Sequence, residues 1–405
     1  MAKPDRITTY IGTYTRRESF VDGKAEGIYI YHLDPSLGAL TYAATIAGAG
    51  TANPSFLILG PDRSCLYTVN EFYKSEAPNG TMSAFAIDPA TGHLSYLNEQ
   101  STHGTAPCYA SIEAEGRYCL VANYETGNLC VLPIQKDGSL GEATDTVQFS
   151  GSGPNPERQE GPHAHMVVPS PDGSFILAID LGTDRLMAFR LDRERGRLSP
   201  ADPPWTQLPP GAGPRHLAFH PHRPFAYVIN ELHSTVTVFR YDEQQGTFEA
   251  QQTISTLPDN FTGQKSGGEI MVAPSGRFVY ASNRGHDSLA IYAVDAETGQ
   301  LALVGHESTR GGGPRTFIID PTGTLLLVAN QDTDTVVTFW IDPESGMLRP
   351  TGHVAAVPTP VCPWLWLLRP VGVRQVTASR PAFPAGAPDR PTPGIPAPCC
   401  GSFCD

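Results

Sequence analysis

The chain has 405 residues and a formal net charge of −13 at pH 7, which argues against nucleic acid and against an anionic membrane surface as partners. Its 40 glycines and 38 prolines indicate a fold with many tight turns and few helices. The N-terminal residues lack the apolar core of a secretory signal and no apolar run could span a bilayer, so a cytoplasmic location is expected.

A charged or polar turn that ends in Gly-x-Leu or Gly-x-Phe occurs seven times along the chain. The first copy is DPSLGAL at Asp34, the last is DPESGML at Asp342, and successive turn glycines are 46 to 58 residues apart. A repeat of this length is typical of a β-propeller blade, a four-stranded sheet that buries its faces only against neighbouring blades. The sequence therefore predicts an all-β fold, a seven-bladed β-propeller of four-stranded antiparallel blades.

Six of these turns follow a second pattern, in which two alternating strands are joined by a tight turn and end in Asn or Asp. The first blade lacks this inner strand, so the segment near 358–368, opening with PTPVC, is expected to supply it and close the ring. Pro363 and Pro370 should limit that strand to a few residues. Residues 1–362 are thus assigned to the propeller and 363–405 to a Pro/Arg-rich tail, predicted to be disordered.

Within each inner hairpin, the start of the first strand and the end of the second lie at the same edge, because the strands are antiparallel. Charged residues that differ from blade to blade at these positions suggest function, whereas the recurring Asn70, Asn123, Asn230 and Asn330 suggest turn caps. Each histidine could instead be a satisfied core residue, and each glutamate could merely neutralise an arginine. The candidates are His163, His165, Arg215, His216, Glu231, Glu269, Asn283, Arg284 and Arg315.

Other kinds of chemistry lack their sequence signals. The chain contains no G-x-S-x-G elbow, no P-loop and no dinucleotide fingerprint after a strand. His163 and His165 are spaced by two, so in a strand they would share one face. No nearby cysteine or carboxylate pattern turns them into a metal site, and neither a metal nor another cofactor is predicted.

Several of these segments resemble the seven-bladed lactonases, the group of propeller-type 6-phosphogluconolactonases and carboxymuconate cyclases. The resemblance extends from about residue 7 to residue 362. In the cyclase branch it implies a His, two Arg and a Glu around the mouth, which fall on His163 or His165, Arg215, Arg284 and Glu231. The ending after Cys362 departs from the family. The motifs are YIGTYT at Tyr10, GPHAH at Gly161, GPRHLAFHP at Gly213, YVINE at Tyr227, GEIMVAPSGRFVYASNRGHDS at Gly268 and GPRTFIIDPTG at Gly313.

The resemblance implies hydrolysis of a sugar lactone, with 6-phospho-D-glucono-1,5-lactone of the pentose phosphate pathway as the expected substrate. His165, His163 or Glu231 would act as the general base. Arg284 and Arg215 would stabilise the oxyanion or hold the phosphate. Arg315 and Asn283 would position the sugar, with Glu269 and His216 as further substrate-binding candidates.

Two other functions stay open at this point. One is cycloisomerisation of a carboxylated muconate, in which the same base moves a proton and the arginines bind carboxylates. The other is a non-catalytic propeller that presents its mouth to a partner. An exposed apolar patch at the mouth would favour the binding module, whereas convergent charged groups in a cleft would favour catalysis. The expected partner is a small anionic lactone, and the expected state is a monomer or a weak homo-oligomer.

Overall fold

The computed structural model of the protein describes residues 6–18 and 20–366, and the strands in these ranges confirm the predicted seven-bladed propeller. Seven four-stranded antiparallel sheets follow one another along the chain, each ordered from an inner to an outer strand. The first strands of neighbouring sheets contact each other around the ring. The predicted tail lies outside the described residues from position 367 onward.

The strands run in chain order through the blades, except that the last strand returns to blade 1. Blade 1 consists of β1 (Ile7–Thr13), β4 (Gly27–Asp34), β5 (Ala39–Ala47) and the closing strand β30 (Pro360–Trp366), with a hairpin of β2 (Arg17–Glu18) and β3 (Val21–Asp22) between β1 and β4. Blade 2 is β6 (Phe56–Leu59), β7 (Cys65–Asn70), β8 (Thr81–Ile87) and β9 (Leu94–Ser101). Blade 3 is β10 (Pro107–Ile112), β11 (Tyr118–Asn123), β12 (Asn128–Pro133) and β13 (Asp145–Gln148). Blade 4 is β14 (Ala164–Pro169), β15 (Ile176–Asp180), β16 (Arg185–Asp192) and β17 (Arg197–Gln207).

The remaining blades repeat this plan. Blade 5 is β18 (Pro214–Phe219), β19 (Phe225–Asn230), β20 (Thr235–Asp242) and β21 (Thr247–Ser255). Blade 6 is β22 (Ser266–Val272), β23 (Phe278–Arg284), β24 (Ser288–Val294) and β25 (Leu301–Ser308). Blade 7 is β26 (Pro314–Ile319), β27 (Leu325–Asn330), β28 (Thr335–Ile341) and β29 (Leu348–Ala356), with a 3₁₀ turn at Gln331–Thr333.

The turn glycine of the repeat fastens each blade to the one before it. All seven of these glycines have positive φ, between 65° and 86°, a conformation that glycine adopts without the steric cost that other residues incur. At Gly299 an added Cβ would lie 2.5 Å from the ring of Phe225 in the preceding blade. The Tyr227 hydroxyl, also in that blade, donates to the Gly299 carbonyl at 3.2 Å. Conformation and space thus both explain why the repeat contains glycine here.

The core lies between blades, on the second and third strands. β7, β11, β19 and β27 are buried along their whole length, whereas the outer strands are largely exposed, as in β5. Between blades 5 and 6, for example, Tyr227 and Val238 pack in one cluster with Val279 and Tyr292. Each fully buried large apolar side chain contributes about 1.5–3 kcal/mol, so a blade gains its stability from its neighbours.

The ring closes through β30, which supplies the innermost strand of blade 1. It pairs with β1 from Thr8 opposite Trp366 to Thr13 opposite Pro360. The strand is seven residues long and continues through Pro363, so the expected limit of a few residues was too short and the propeller extends at least to Trp366. An innermost strand has a partner on one side only, so a residue without an N–H is tolerated there.

Candidate active site

One end of the ring holds a pocket of about 570 Å³ that receives residues from all seven blades. Most of them start a first strand or follow a second strand, the two positions that the hairpin geometry places at one edge. Four of the predicted site residues line this pocket: His165, Glu231, Arg284 and Arg315. Antiparallel pairing within each blade, repeated around the ring, therefore brings side chains from distant parts of the sequence together.

Glu231 is the centre of a buried arginine cluster. Its Oε1 accepts from Arg158 Nη2 at 2.6 Å, and its Oε2 lies 2.8 Å from Arg284 Nη2 and 3.0 Å from Arg215 Nε. Burial alone would raise the pKa of Glu231, but Arg284, Arg215 and Arg158 together hold it well below its ordinary value. Such a carboxylate is a weak proton acceptor, so the geometry favours a positioning role for Glu231 over the predicted role as base.

Arg215 and Arg284 differ in their access to the pocket. Arg215 is fully buried beneath it, and its Nη1 donates to the Gly268 carbonyl at 2.8 Å. Arg284 lines the pocket, and its Nη2 donates to Ser266 Oγ and the Gly267 carbonyl. Within the described residues, Nη1 of Arg284 has no hydrogen-bond partner. Arg284 therefore retains a donor for a ligand, whereas Arg215 supports the site from below.

The structure separates the two histidines that the sequence left equivalent. His165 lines the pocket, and its Nδ1 lies 3.8 Å from Cys108 Sγ. In the described part of the chain its Nε2 makes no hydrogen bond. Burial, followed by the charge of Arg215 and the neighbouring His216, lowers the pKa of His165 well below its ordinary value. His165 is thus a neutral imidazole with one ring nitrogen available to accept a proton.

His163 lies beside the pocket and does not line it. Its ring stacks on Tyr124 with centroids 4.5 Å apart, its Nδ1 lies 3.0 Å from the Tyr124 carbonyl oxygen, and its Nε2 lies 3.2 Å from Glu160 Oε1. The expectation that both histidines share one face fails because β14 begins only at Ala164 and its ladder is irregular between Ala164 and Met166. His163 consequently supports Tyr124, which does line the pocket.

His216 and Glu269 form a buried pair below the pocket and do not line it. The structure therefore does not place them where they could contact a substrate in this pocket, as the sequence predicted. His216 Nδ1 lies 2.8 Å from Glu269 Oε1, and the His216 ring meets that of His165 edge-on at 5.1 Å. Glu269 lines a second cavity, which the inner strands of the blades enclose farther along the central channel of the ring. Despite burial, His216 and Arg215 hold the pKa of Glu269 below its ordinary value. Both residues are elements of the support under His165.

Asn283 was expected to bind substrate, but it belongs to the structural asparagines. Its Nδ2 donates to the Thr256 carbonyl at 2.7 Å. Asn123 and Asn330 make the same bond from their own blades, to the carbonyls of Thr102 and Thr309. Because Asn283 occupies the equivalent position in its blade, the sequence repeat already indicated that its role is structural.

Arg315 lines the pocket from blade 7, where its neighbours are aromatic rings instead of the Glu231 carboxylate. Its guanidinium carbon lies 5.5 Å from the ring centroid of Tyr14 and 5.8 Å from that of Phe20. Glu71, on the same side, accepts the Tyr14 hydroxyl at 2.8 Å and the Tyr73 hydroxyl at 3.1 Å. Among the described residues Arg315 makes neither an ion pair nor a hydrogen bond. Arg315 therefore faces the pocket without a direct ion-pair partner in the described part of the chain, although, despite its burial, nearby Tyr14 and Glu71 raise its pKa.

Sequence reasoning missed Arg158 and Lys265, which line the pocket from the segments between blades. Arg158 lies in the stretch GSGPNPERQEG between β13 and β14, and Lys265 precedes β22. Neither position belongs to the repeat, so periodicity could not identify them. The only available signal was the length of these two connections, since long connections in compact domains are often functional.

The pocket is positively charged within an acidic protein. Cationic side chains outnumber carboxylates in its lining, and Arg215 adds a further cation directly beneath, so the pocket would attract a small anion. Within the described ranges, no group of three His, Cys, Asp or Glu side chains is arranged to hold a metal ion, and no helix there could cross a membrane. The cations of the lining are Arg158, Lys265, Arg284 and Arg315, and the acids are Glu71, Glu231 and Asp332.

Known proteins share this architecture and much of the sequence. The family model described as "Lactonase, 7-bladed beta-propeller" matches residues 8–364. A 6-phosphogluconolactonase of Bacillus subtilis (strain 168) is 38% identical over 311 residues, which cover 77% of this chain and 84% of that protein. A periplasmic gluconolactonase of Pseudomonas aeruginosa superposes with a TM-score of 0.82 at 35% identity, over 90% of this chain and 100% of that one. A solved protein from Bacteroides fragilis NCTC 9343 gives 0.81 at 37% identity, over 90% and 99%. The predicted family is confirmed: the chain belongs to the lactonase family of seven-bladed β-propellers.

Proposed function

We propose that the protein hydrolyses 6-phospho-D-glucono-1,5-lactone to 6-phosphogluconate, a step of the pentose phosphate pathway. The observation that carries the proposal is one pocket in which a neutral His165, the arginine cluster on Glu231 and Arg315 converge, the last without an ion pair among the described residues. The Bacillus subtilis relative is named for this reaction. The excess of cationic side chains favours a phosphorylated lactone over an uncharged one.

His165 is the proposed general base. Its Nε2 accepts a proton from a water molecule as the water oxygen attacks carbon C1 of the lactone. A base placed in this way accelerates a reaction by about 10²–10⁴-fold. The resulting imidazolium then returns the proton to the ring oxygen as the bond between C1 and that oxygen breaks. The product is the open-chain acid, and all protons are accounted for without a covalent intermediate.

Arg284 and Arg158 are the proposed donors to the oxyanion that forms on C1. Both line the pocket and both are oriented by the carboxylate of Glu231. One well-placed donor of this kind contributes about 10²–10³-fold to kcat. Glu231 stays ionised because the arginines lower its pKa, so the cluster keeps its geometry while charge develops on the substrate.

Cys108 is the only thiol that lines the pocket within the described residues, and we assign it no nucleophilic role. Burial raises the pKa of the Cys108 thiol far above its usual range, so the reactive thiolate is scarcely formed at neutral pH. Direct attack by water is therefore the simpler route. Lactones are activated acyl groups, and a base together with oxyanion donors is sufficient for their opening.

The charged lining also bears on the alternatives. A binding module would favour an apolar mouth, whereas here charged side chains converge in a cleft. A carboxylated muconate would place several carboxylates among the same arginines, and the names of the relatives support the lactone instead. A cytoplasmic location and a monomeric or weakly oligomeric state remain predictions, and one relative is described as periplasmic.

The direct test is an assay of the purified protein on freshly generated 6-phosphogluconolactone. The product would be measured with 6-phosphogluconate dehydrogenase against the spontaneous rate and against heat-denatured protein. We expect hydrolysis far above both controls. A rate equal to the spontaneous background at micromolar protein would refute the proposed function.

A further inference from the structure

We propose that Arg315 forms the subsite for the substrate's phosphate and sets the preference for phosphorylated over unphosphorylated lactones. The inference rests on the proposed function and goes beyond it, because it separates the group that binds the phosphate from the groups that act on the carbonyl. Arg284 and Arg215, which the sequence also offered for the phosphate, are assigned to the carbonyl side.

The arginines at the pocket differ in whether they form an ion pair. Arg158, Arg215 and Arg284 all bind the carboxylate of Glu231, so that cluster already contains its own anion. Arg315 has no such partner in the described part of the chain. A phosphate monoester carries a charge of about −1.5 to −2 at neutral pH. A phosphate bound at Arg315 would therefore displace no ion pair among the described residues.

Two aromatic rings hold the guanidinium of Arg315 in place. Cation–π contacts with Tyr14 and Phe20 support the face of the guanidinium and leave its N–H edge for bonding. The Tyr14 hydroxyl is already donated to Glu71 Oε2 at 2.8 Å. Planar N–H pairs match two phosphate oxygens, which makes arginine suited to this recognition. Arg315 is therefore oriented without losing its capacity to donate.

The two carboxylates that line the pocket in blades 2 and 7 already have hydrogen-bond partners. Glu71 accepts two tyrosine hydroxyls, and Asp332 Oδ1 accepts Gln331 Nε2 at 3.1 Å. Neither carboxylate comes within ion-pairing distance of Arg315 in the described residues. Lys265, from the neighbouring blade 6, lines the same pocket and adds a second cation. Two cations and two carboxylates thus balance on this side, and Arg315 is distinguished by N–H groups that no direct ion pair within the described residues uses.

Arg315, His165 and Glu231 come from different blades of the ring. Arg315 starts the inner strand of blade 7, whereas His165 lies in the inner strand of blade 4 and Glu231 follows the second strand of blade 5. Blades 4 and 7 are three places apart in the ring of seven, so His165 and Arg315 enter the pocket from well-separated blades. In the substrate, the carbonyl carbon is separated from the phosphorus by the ring oxygen, C5, C6 and the ester oxygen. A lactone with its carbonyl at His165 could thus extend its phosphate toward blade 7, where Arg315 lines the pocket.

The test compares Arg315→Ala and the longer, polar Arg315→Gln with wild type on two substrates, 6-phosphogluconolactone and glucono-1,5-lactone. Loss of charge-assisted bonds to phosphate should lower kcat/KM for the phosphorylated lactone by about 10–100-fold, mainly through KM. The value for glucono-1,5-lactone should change by less than about fivefold. Arg310→Ala is the matched control, since Arg310 is an exposed arginine paired with Glu307. Thermal unfolding would verify that each variant is folded.

Equal losses on both substrates, or an unchanged kcat/KM for the phosphorylated one, would overturn the assignment. Binding of the products gives a second readout that needs no catalysis. Wild type should bind 6-phosphogluconate more tightly than gluconate by calorimetry, and Arg315→Gln should abolish the difference. If wild type hydrolyses neither lactone, the proposed function fails, and the calorimetric comparison still decides whether Arg315 binds phosphate. Equal affinity of wild type for the two acids would refute the subsite.

Discussion

The two ends of the central channel are built from the same inner strands, yet they differ in chemistry. At one end the strands begin with residues such as Arg315, and connecting segments add further charges. Toward the other end the same strands continue as apolar residues, such as Phe317 and Ile319, around a cavity of about 340 Å³. Among the described residues that line that cavity, Glu269 is the only carboxylate, and it is paired with His216.

The comparison shows how a repeated fold can confine its chemistry to one edge. Strand interiors must fit between blades and are therefore restricted to apolar or small residues. Strand starts and connecting segments are free of that restriction, so each blade can offer a different charged group at the same edge. In this chain the support residues, Arg215 and the pair of His216 with Glu269, occupy the boundary between the two environments.

The largest expected effect is at the charged end, where Glu231→Ala should affect both stability and activity. Removal of this carboxylate leaves Arg215 and its neighbours as uncompensated buried cations, which costs about 3–5 kcal/mol of unfolding free energy. Lactone hydrolysis should fall to the background because the arginines lose their common anchor. Chemical denaturation would measure the first effect. Glu344→Ala, an exposed glutamate paired with Arg277, should change the unfolding free energy by no more than about 1 kcal/mol. Equal effects of the two substitutions would contradict the cluster's role.

The apolar end should respond in stability alone. Phe317 is fully buried in the cluster of blades 6 and 7, so Phe317→Ala should lower the unfolding free energy by about 3–5 kcal/mol through a cavity. KM for the lactone, measured well below the melting temperature, should stay within about twofold of wild type. A large rise in KM would mean that the two ends are coupled more tightly than their separation suggests.

A smaller effect is expected where the GPHAH segment meets blade 4. An added Cβ on Gly182 would collide with the carbonyl oxygen of Gly161, whereas an added Cβ on Gly161 would meet nothing within 4 Å. Gly182→Ala should therefore destabilise the protein by about 1–3 kcal/mol, and Gly161→Ala by no more than about 0.5 kcal/mol. Thermal unfolding of the two variants would measure this difference in stability. Equal stabilities would mean that the segment around Gly161 shifts to make room for the added methyl group.

The smallest expected effect concerns pH: kcat should stay constant as the pH falls from neutral past the ordinary pKa of histidine. Because the pKa of His165 is lowered, its neutral, proton-accepting form persists below the ordinary histidine value of about 6.5. The acidic limb of kcat should therefore lie at lower pH than for an unperturbed histidine, with kcat constant as pH falls from neutral past that value. Initial rates under saturating lactone would show this. A decline of kcat centred at or above 6.5 would contradict the assignment.

Repetition made the fold predictable from the sequence. Seven turn glycines, spaced 46 to 58 residues apart, identified the blades, and the missing inner strand of blade 1 indicated where the ring closes. The extent of the closing strand was underestimated because the general rule about proline in strands does not apply to a strand with one free side, as at Pro363.

The site was only partly predictable, for three physical reasons. The irregular start of β14 separates His163 from His165, and alternation along an ideal strand cannot reveal such an irregularity. Arg158 lies in a connection outside the repeat, so no register pointed to it. Asn283 is predicted from its strand-end position to hold the sugar, but that position is the one that the structural asparagines occupy in the other blades.

The most direct test of the account compares His165→Gln with His163→Gln in the hydrolysis of 6-phosphogluconolactone. The two histidines are separated by one residue in the sequence, but only His165 lines the pocket. His165→Gln should lower kcat by about 10²–10⁴-fold, and His163→Gln by less than about fivefold. Near-wild-type activity of His165→Gln, or an equal loss in both variants, would contradict the conclusion that the charged end of the channel uses His165 as its base.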